Sequence, residues 1–202
     1  MAGKKSNHPF NFQADHLNYR LRMFLLLLLF ILPGVKGYSQ PVEYTLKALY
    51  IEKFTRFTEW PDSCEINNKE TPFIIATLGQ TPFKENLENI FSIQHIYNKP
   101  VKVIETELPG KAEKFHILFI PNTKKDSLES IINLVGEKPV LTVGDTPEYG
   151  KRGVLINFYT ENDKLKFEIN ETALQKSPLE FNFHLLNMAK IVEPLNKEDI
   201  SR

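Results

Sequence analysis

Apolar and polar positions change period several times along this chain. From Glu43 to Glu59, Leu46, Leu49, Tyr50, Phe54 and Phe57 recur at helical spacing, while Lys47, Lys53 and Arg56 fall mostly on the other side. This predicts an amphipathic helix stopped by Pro61, because the residue before a proline is steered out of helical angles. Trp60 closes it as an aromatic anchor. Phe73–Leu78 is apolar on both faces and nearly continuous in hydrophobicity, as expected of a strand covered on both sides, and Gly79 ends it. A short helix should follow Pro82, turning Phe83, Leu87 and Ile90 or Phe91 inward. Val101–Ile104 and Phe115–Ile120 read as further strands, the latter ended by Pro121. Leu128, Ile131, Ile132 and Val135 stripe another helix, and Val140–Val143 is a fourth strand.

Strands that alternate with helices require parallel crossovers, so the fold class is α/β: one open, mostly parallel sheet flanked by helices, of flavodoxin or Rossmann type. The C-terminal third differs. Val154–Phe158 and Lys164–Ile169 flank the polar stretch Tyr159–Asp163, which predicts a hairpin near a sheet edge. Lys164, Lys166 and Glu168 alternate with Leu165, Phe167 and Ile169, so one face should be wet. Asn170 suits a helix cap. Ala173 and Leu174 enter a helical region that Pro178 interrupts and that Phe183, Leu186, Met188, Ala189 and Ile191 continue as a closing helix.

The N-terminus has another character. Arg20 and Arg22 precede the run Met23–Leu32, Pro33-Gly34 breaks it, and small residues follow at Gly37 and Ser39. A basic flank, a short apolar core and a small-residue exit describe a secretory signal. The core falls short of the roughly 20 residues that span a bilayer. An uncleaved anchor is the other reading. The expected organisation is a signal peptide over 1–39, one α/β domain over 42–195 and a charged tail over 196–202.

Composition narrows the function. Lys+Arg and Asp+Glu both number 25, and this neutrality argues against a general nucleic-acid binder. Cys64 is the only cysteine, so no internal disulfide can form. The phosphate-binding loop, the dinucleotide loop and the nucleophile elbow are all absent as motifs. His95, His116 and His184 lack zinc spacing. His116 sits within a strand pattern and suits a satisfied core position. No catalytic residue, cofactor site or metal site is assigned. Should the chain be an enzyme, Asp145, His116 and Glu168 are the available acids and bases.

Five residues stand out as partner or ligand candidates. Tyr50, Phe57 and Trp60 belong to an unusually aromatic helix, which can be core packing or an interface hot spot. Gly79, before a helix start, can present N–H groups to an anion or simply make a positive-φ turn. Asp145 follows a strand's C-terminal end, where open α/β sheets place ligands, although a turn role serves equally.

Taken together, Tyr50-Ile51-Glu52-Lys53-Phe54, Thr58-Glu59-Trp60-Pro61, Leu78-Gly79 with Pro82-Phe83, His116–Ile120, Leu141–Asp145, Ile156-Asn157-Phe158, Phe167–Asn170 and Leu185–Ala189 resemble, in order and spacing, the YfiR-like family of periplasmic proteins. The resemblance covers nearly the whole mature chain. It implies a small periplasmic α/β regulator without enzymatic activity. Such a protein acts as a homodimer that holds the periplasmic domain of a membrane-bound diguanylate cyclase inactive, lowering cyclic di-GMP and biofilm formation. A sensor histidine kinase is the alternative partner, and a small-molecule ligand is compatible with either. A solute-binding module is disfavoured by the lack of a second lobe. Family members with paired cysteines are redox-linked, and the lone Cys64 withholds that mechanism here.

Overall fold

The computed structural model describes residues 40–107 and 115–195. The expected signal peptide, 1–39, and the charged tail, 196–202, lie outside the described residues. Helix α1 (Gln40–Arg56) leads into a two-residue strand β1 (Thr58–Glu59). Then come β2 (Phe73–Leu78), α2 (Phe83–Phe91), β3 (Val101–Thr106), β4 (Ile117–Ile120), α3 (Leu128–Val135) and β5 (Leu141–Gly144). The C-terminal third holds β6 (Ile156–Glu161), β7 (Lys164–Asn170), α4 (Glu171–Lys176), β8 (Glu180–Phe181), α5 (Phe183–Met188) and β9 (Lys190–Val192).

Seven strands form one sheet in the order β3-β2-β4-β5-β6-β7-β9. Only the β6–β7 hairpin is antiparallel. This is the mostly parallel α/β sheet that the alternating pattern predicts. Successive side chains on a strand point to opposite faces, and the core divides accordingly. Phe73, Ile75, Ile117, Phe119, Leu141 and Val143 pack on one face with α1 and α2. Ala76, Leu78, Leu118 and Ile120 pack on the other with Leu128, Ile131 and Val135 of α3. Each fully buried Val, Leu, Ile or Phe among them contributes about 1.5–3 kcal/mol of apolar transfer.

Three local expectations change. Helix α1 ends at Arg56, because Thr58 and Glu59 pair with Phe181 and Glu180 as a small antiparallel ladder. Its buried face carries Lys47, Ala48, Ile51 and Phe54, whereas Leu49 is exposed. The closing helix stops at Met188, and residues 190–192 become the edge strand, in register with Glu168–Asn170 of β7. Ile191 fits helical spacing, but an unpaired β7 edge offers its backbone a ladder instead.

Candidate functional site

The five candidates do not converge. Helix α1 crosses the sheet, with Lys47 near the strands' C-terminal ends and the chain just beyond the helix at their N-terminal ends. Asp145 and Gly79 lie at the C-terminal edge, after β5 and β2, with β4 between them. Trp60 lies at the opposite edge, its ring standing at 5.7 Å on Phe73 and 5.9 Å on His116. Half-buried Tyr50 packs inward against Phe54, Phe158 and Phe167 at 5.8–6.0 Å, with the Lys53 ammonium over its ring. Phe57 is half-buried and meets His184 at 6.5 Å.

Gly79 has φ +75 and donates its N–H to the Thr106 carbonyl at 2.8 Å. A Cβ there would approach Lys124 Cε to 3.0 Å, where Lys124 pairs with Glu107. The bond to Thr106 ties the end of β2 to the end of β3.

Asp145 anchors a polar cluster. Its Oδ2 accepts from Lys47 Nζ at 2.7 Å, and the same ammonium reaches Glu43 Oε1 at 2.6 Å. The Lys47 side chain is 5 % exposed. Burial pushes the Lys47 pKa down, but the charges and hydrogen bonds of Asp145 and Glu43 outweigh it, and the net shift is upward. Tyr44, stacked on Phe83 at 5.3 Å, lies 5.0 Å from that ammonium. Burial, then the Asp145 charge, raises its phenol. Sequence reading placed Lys47 on the polar side of its helix, since nothing local marks an amine destined for a carboxylate 98 residues away.

Beyond Asp145 the chain crosses polar strand residues on the α3 side of the sheet. Asn157 Nδ2 donates to the Thr146 carbonyl and to Glu168 Oε1, both at 3.0 Å. Asn170 Nδ2 donates to the Gly150 carbonyl, and Thr142 Oγ1 accepts from Leu155 N. Tyr149, fully buried, donates its hydroxyl to the Pro121 carbonyl at 3.1 Å. Asn157, Asn170 and Thr142 satisfy backbone groups of the 145–155 segment that would otherwise be buried unpaired, and Tyr149 ties that segment to Pro121. The fit is close: a Cβ on Gly144 would lie 2.7 Å from the Tyr149 ring, and one on Gly150 would lie 2.6 Å from Glu168 Oε1.

A cleft of about 360 Å³ opens here, walled by Glu43 and Lys47 on one side, Asp145 and Glu148 on another, and the outer half of β6 on the third. A larger one, about 710 Å³, lies between α3 and α4 over Ile132, Leu155 and Ala173, with Lys151 and Lys176 at its rim.

His116 precedes β4, at the edge opposite Asp145. Its Nδ1 accepts from Ile74 N at 3.0 Å, and Nε2 donates to the Cys64 carbonyl at 3.2 Å. The ring stacks on Phe73 at 4.3 Å. Buried Lys99 ties down the same segment by donating to the Glu65 carbonyl and Thr71 Oγ1. Of the available acids and bases, Asp145 sits in its ion pair and Glu168 on Asn157, both bordering the 360 Å³ cleft, whereas His116 lies at the far edge. Among the described residues no group of three or more His, Cys, Asp or Glu could hold a metal ion, and no helix is long and apolar enough to cross a membrane.

A family model described as YfiR/HmsC-like matches residues 44–190. No curated protein matches the chain.

Proposed function

The chain belongs to the YfiR/HmsC-like family, and from that membership we propose that it is an exported negative regulator of a membrane-anchored signalling enzyme. It binds the periplasmic domain of a diguanylate cyclase, holds the enzyme inactive, and so lowers cyclic di-GMP and biofilm formation. The family match over 44–190 is the observation that carries this reading. In support of a binding role, the best-placed carboxylate is already closed by Lys47. The basic and apolar N-terminus supports export with cleavage between about Gly37 and Ser39. The regulator works as a homodimer, and the cleft between α3 and α4 is its room for a small ligand.

Deletion of the gene tests the proposal. Cellular cyclic di-GMP and surface attachment should rise, and both should fall again when the chain is supplied with its signal peptide but not without it. Unchanged cyclic di-GMP on deletion, together with altered phosphorylation of a response regulator, would move the partner to a histidine kinase.

A further inference from the structure

Strand β6 outruns its parallel neighbour. The β5–β6 ladder consists of Val143↔Ile156 and Gly144↔Asn157, after which the chain leaves through Asp145. The β6–β7 hairpin continues to Glu161↔Lys164. Among the described residues, no strand pairs with β6 on the β5 side beyond Asn157.

The register shows which backbone groups this leaves facing outward. Asn170 N donates to the Leu155 carbonyl, so Leu155–Asn170 is a hydrogen-bonded antiparallel pair. Alternation makes Asn157–Glu168 and Tyr159–Lys166 hydrogen-bonded pairs as well. Phe158 and Thr160 lie at the alternate positions, and their backbone groups point away from β7. The Gly144↔Asn157 register uses the Phe158 N–H. The Phe158 carbonyl and both backbone groups of Thr160 then face the 360 Å³ cleft.

An unpaired strand edge is a template for another extended chain. The walls select its charge. The cleft holds the carboxylates of Glu43, Asp145, Glu148 and Glu168 against the amines of Lys47 and Lys190. Lys47 is already engaged by Glu43 and Asp145, and Lys190 lies over the Tyr159 ring at 5.5 Å. Carboxylates are in excess, with exposed Glu148 at the mouth.

We propose that the outer edge of β6, at Phe158–Thr160, is where an extended, basic segment of the regulated protein adds as a strand. The proposal rests on the regulatory reading above and assigns its partner surface. Main-chain hydrogen bonds would supply affinity, and the acidic walls would supply selectivity.

Thr160→Pro removes one outward N–H. It leaves the β7 ladder whole, because Thr160↔Leu165 is a pair without mutual hydrogen bonds. Thr160→Val keeps the N–H. The mature protein is titrated with the periplasmic domain of the membrane-anchored cyclase encoded nearest to it. Thr160→Pro should bind about tenfold more weakly, and Thr160→Val as the wild type does. Glu148→Lys should also weaken binding and flatten its salt dependence. In hydrogen exchange on the wild type, the Thr160 amide should slow when the complex forms. Undiminished binding by a folded Thr160→Pro overturns the edge and leaves the regulatory reading intact. Absence of binding by the wild type overturns that reading, and this proposal with it. Loss of self-association by Thr160→Pro with partner binding intact gives the edge to a second copy and overturns the proposal. If Thr160→Pro does not fold, the exchange measurement decides: an unslowed Thr160 amide overturns it.

Discussion

Lys47 and Asp145 meet at 2.7 Å across 98 residues of sequence, tying the first half of α1 to the exit of β5. Both side chains are largely out of water, so removing one partner strands the other. Asp145→Ala should cost about 2 kcal/mol in urea denaturation, less than a wholly buried pair because Glu43 still holds the amine. The raised Lys47 pKa gives the sign of the pH effect. Its stabilisation is complete below the ordinary value of 10.5 and is lost as pH rises through the folded-state value. Asp145→Ala should accordingly show a shallower alkaline loss than the wild type.

His116 responds at the other end of the scale. Its Nδ1 must stay unprotonated to accept from Ile74 N. Burial, its largest cause, lowers its pKa from 6.5, and the Lys99 charge adds to this. The folded state therefore binds fewer protons here than the unfolded chain. The resulting stabilisation is present above 6.5 and is lost as pH falls through the folded-state value. His116→Asn should flatten that acid slope, as measured by Tm against pH from 7 to 5 (a span of about two units about the reference pKa).

Gly144 is needed for close approach rather than for its backbone angles. An added methyl would meet the Tyr149 ring at 2.7 Å and Asn157 Oδ1 at 3.0 Å, both on side chains without room to retreat. Gly144→Ala should lose about 1–3 kcal/mol in chemical denaturation, with the loss centred on the 145–155 segment in hydrogen exchange.

The aromatic residues of the N-terminal segment should behave as scaffold. Tyr50→Ala removes contact with three rings and should cost about 2–3 kcal/mol of stability. Trp60→Ala, which uncovers Phe73 and His116, should cost a similar amount. Loss of partner affinity in a Tyr50 variant that melts with the wild type would return this helix to the interface.

Cys64 is half-buried, with its Sγ 3.8 Å from the Pro139 carbonyl. Cys64→Ser keeps a donor at that position and should change stability by less than about 1 kcal/mol. An obligatory covalent dimer on non-reducing gels would contradict this.

Periods of hydrophobicity and local punctuation carried most of the fold. Phe73–Leu78, Ile117–Ile120 and Leu141–Gly144 are strands because short, predominantly apolar runs between turn residues can be buried on both faces, and that property is local to each run. The Lys164–Ile169 alternation likewise announced a strand with one polar face. What that face does was decided in three dimensions. Glu168 and Asn170 are buried rather than wet, because the 145–155 segment folds across them and their polar atoms satisfy it or its neighbours. Lys47 became a core residue through a carboxylate that no local window contains. Residues 190–192 satisfy helical spacing, yet they form a strand, since β7 presents a free edge at Glu168–Asn170. The sequence by itself determined which segments form and which faces are apolar, because propensity and periodicity act over a few residues. Only the tertiary structure decided which polar groups are buried, since a buried charge or amide is tolerated only where a distant segment supplies its partner.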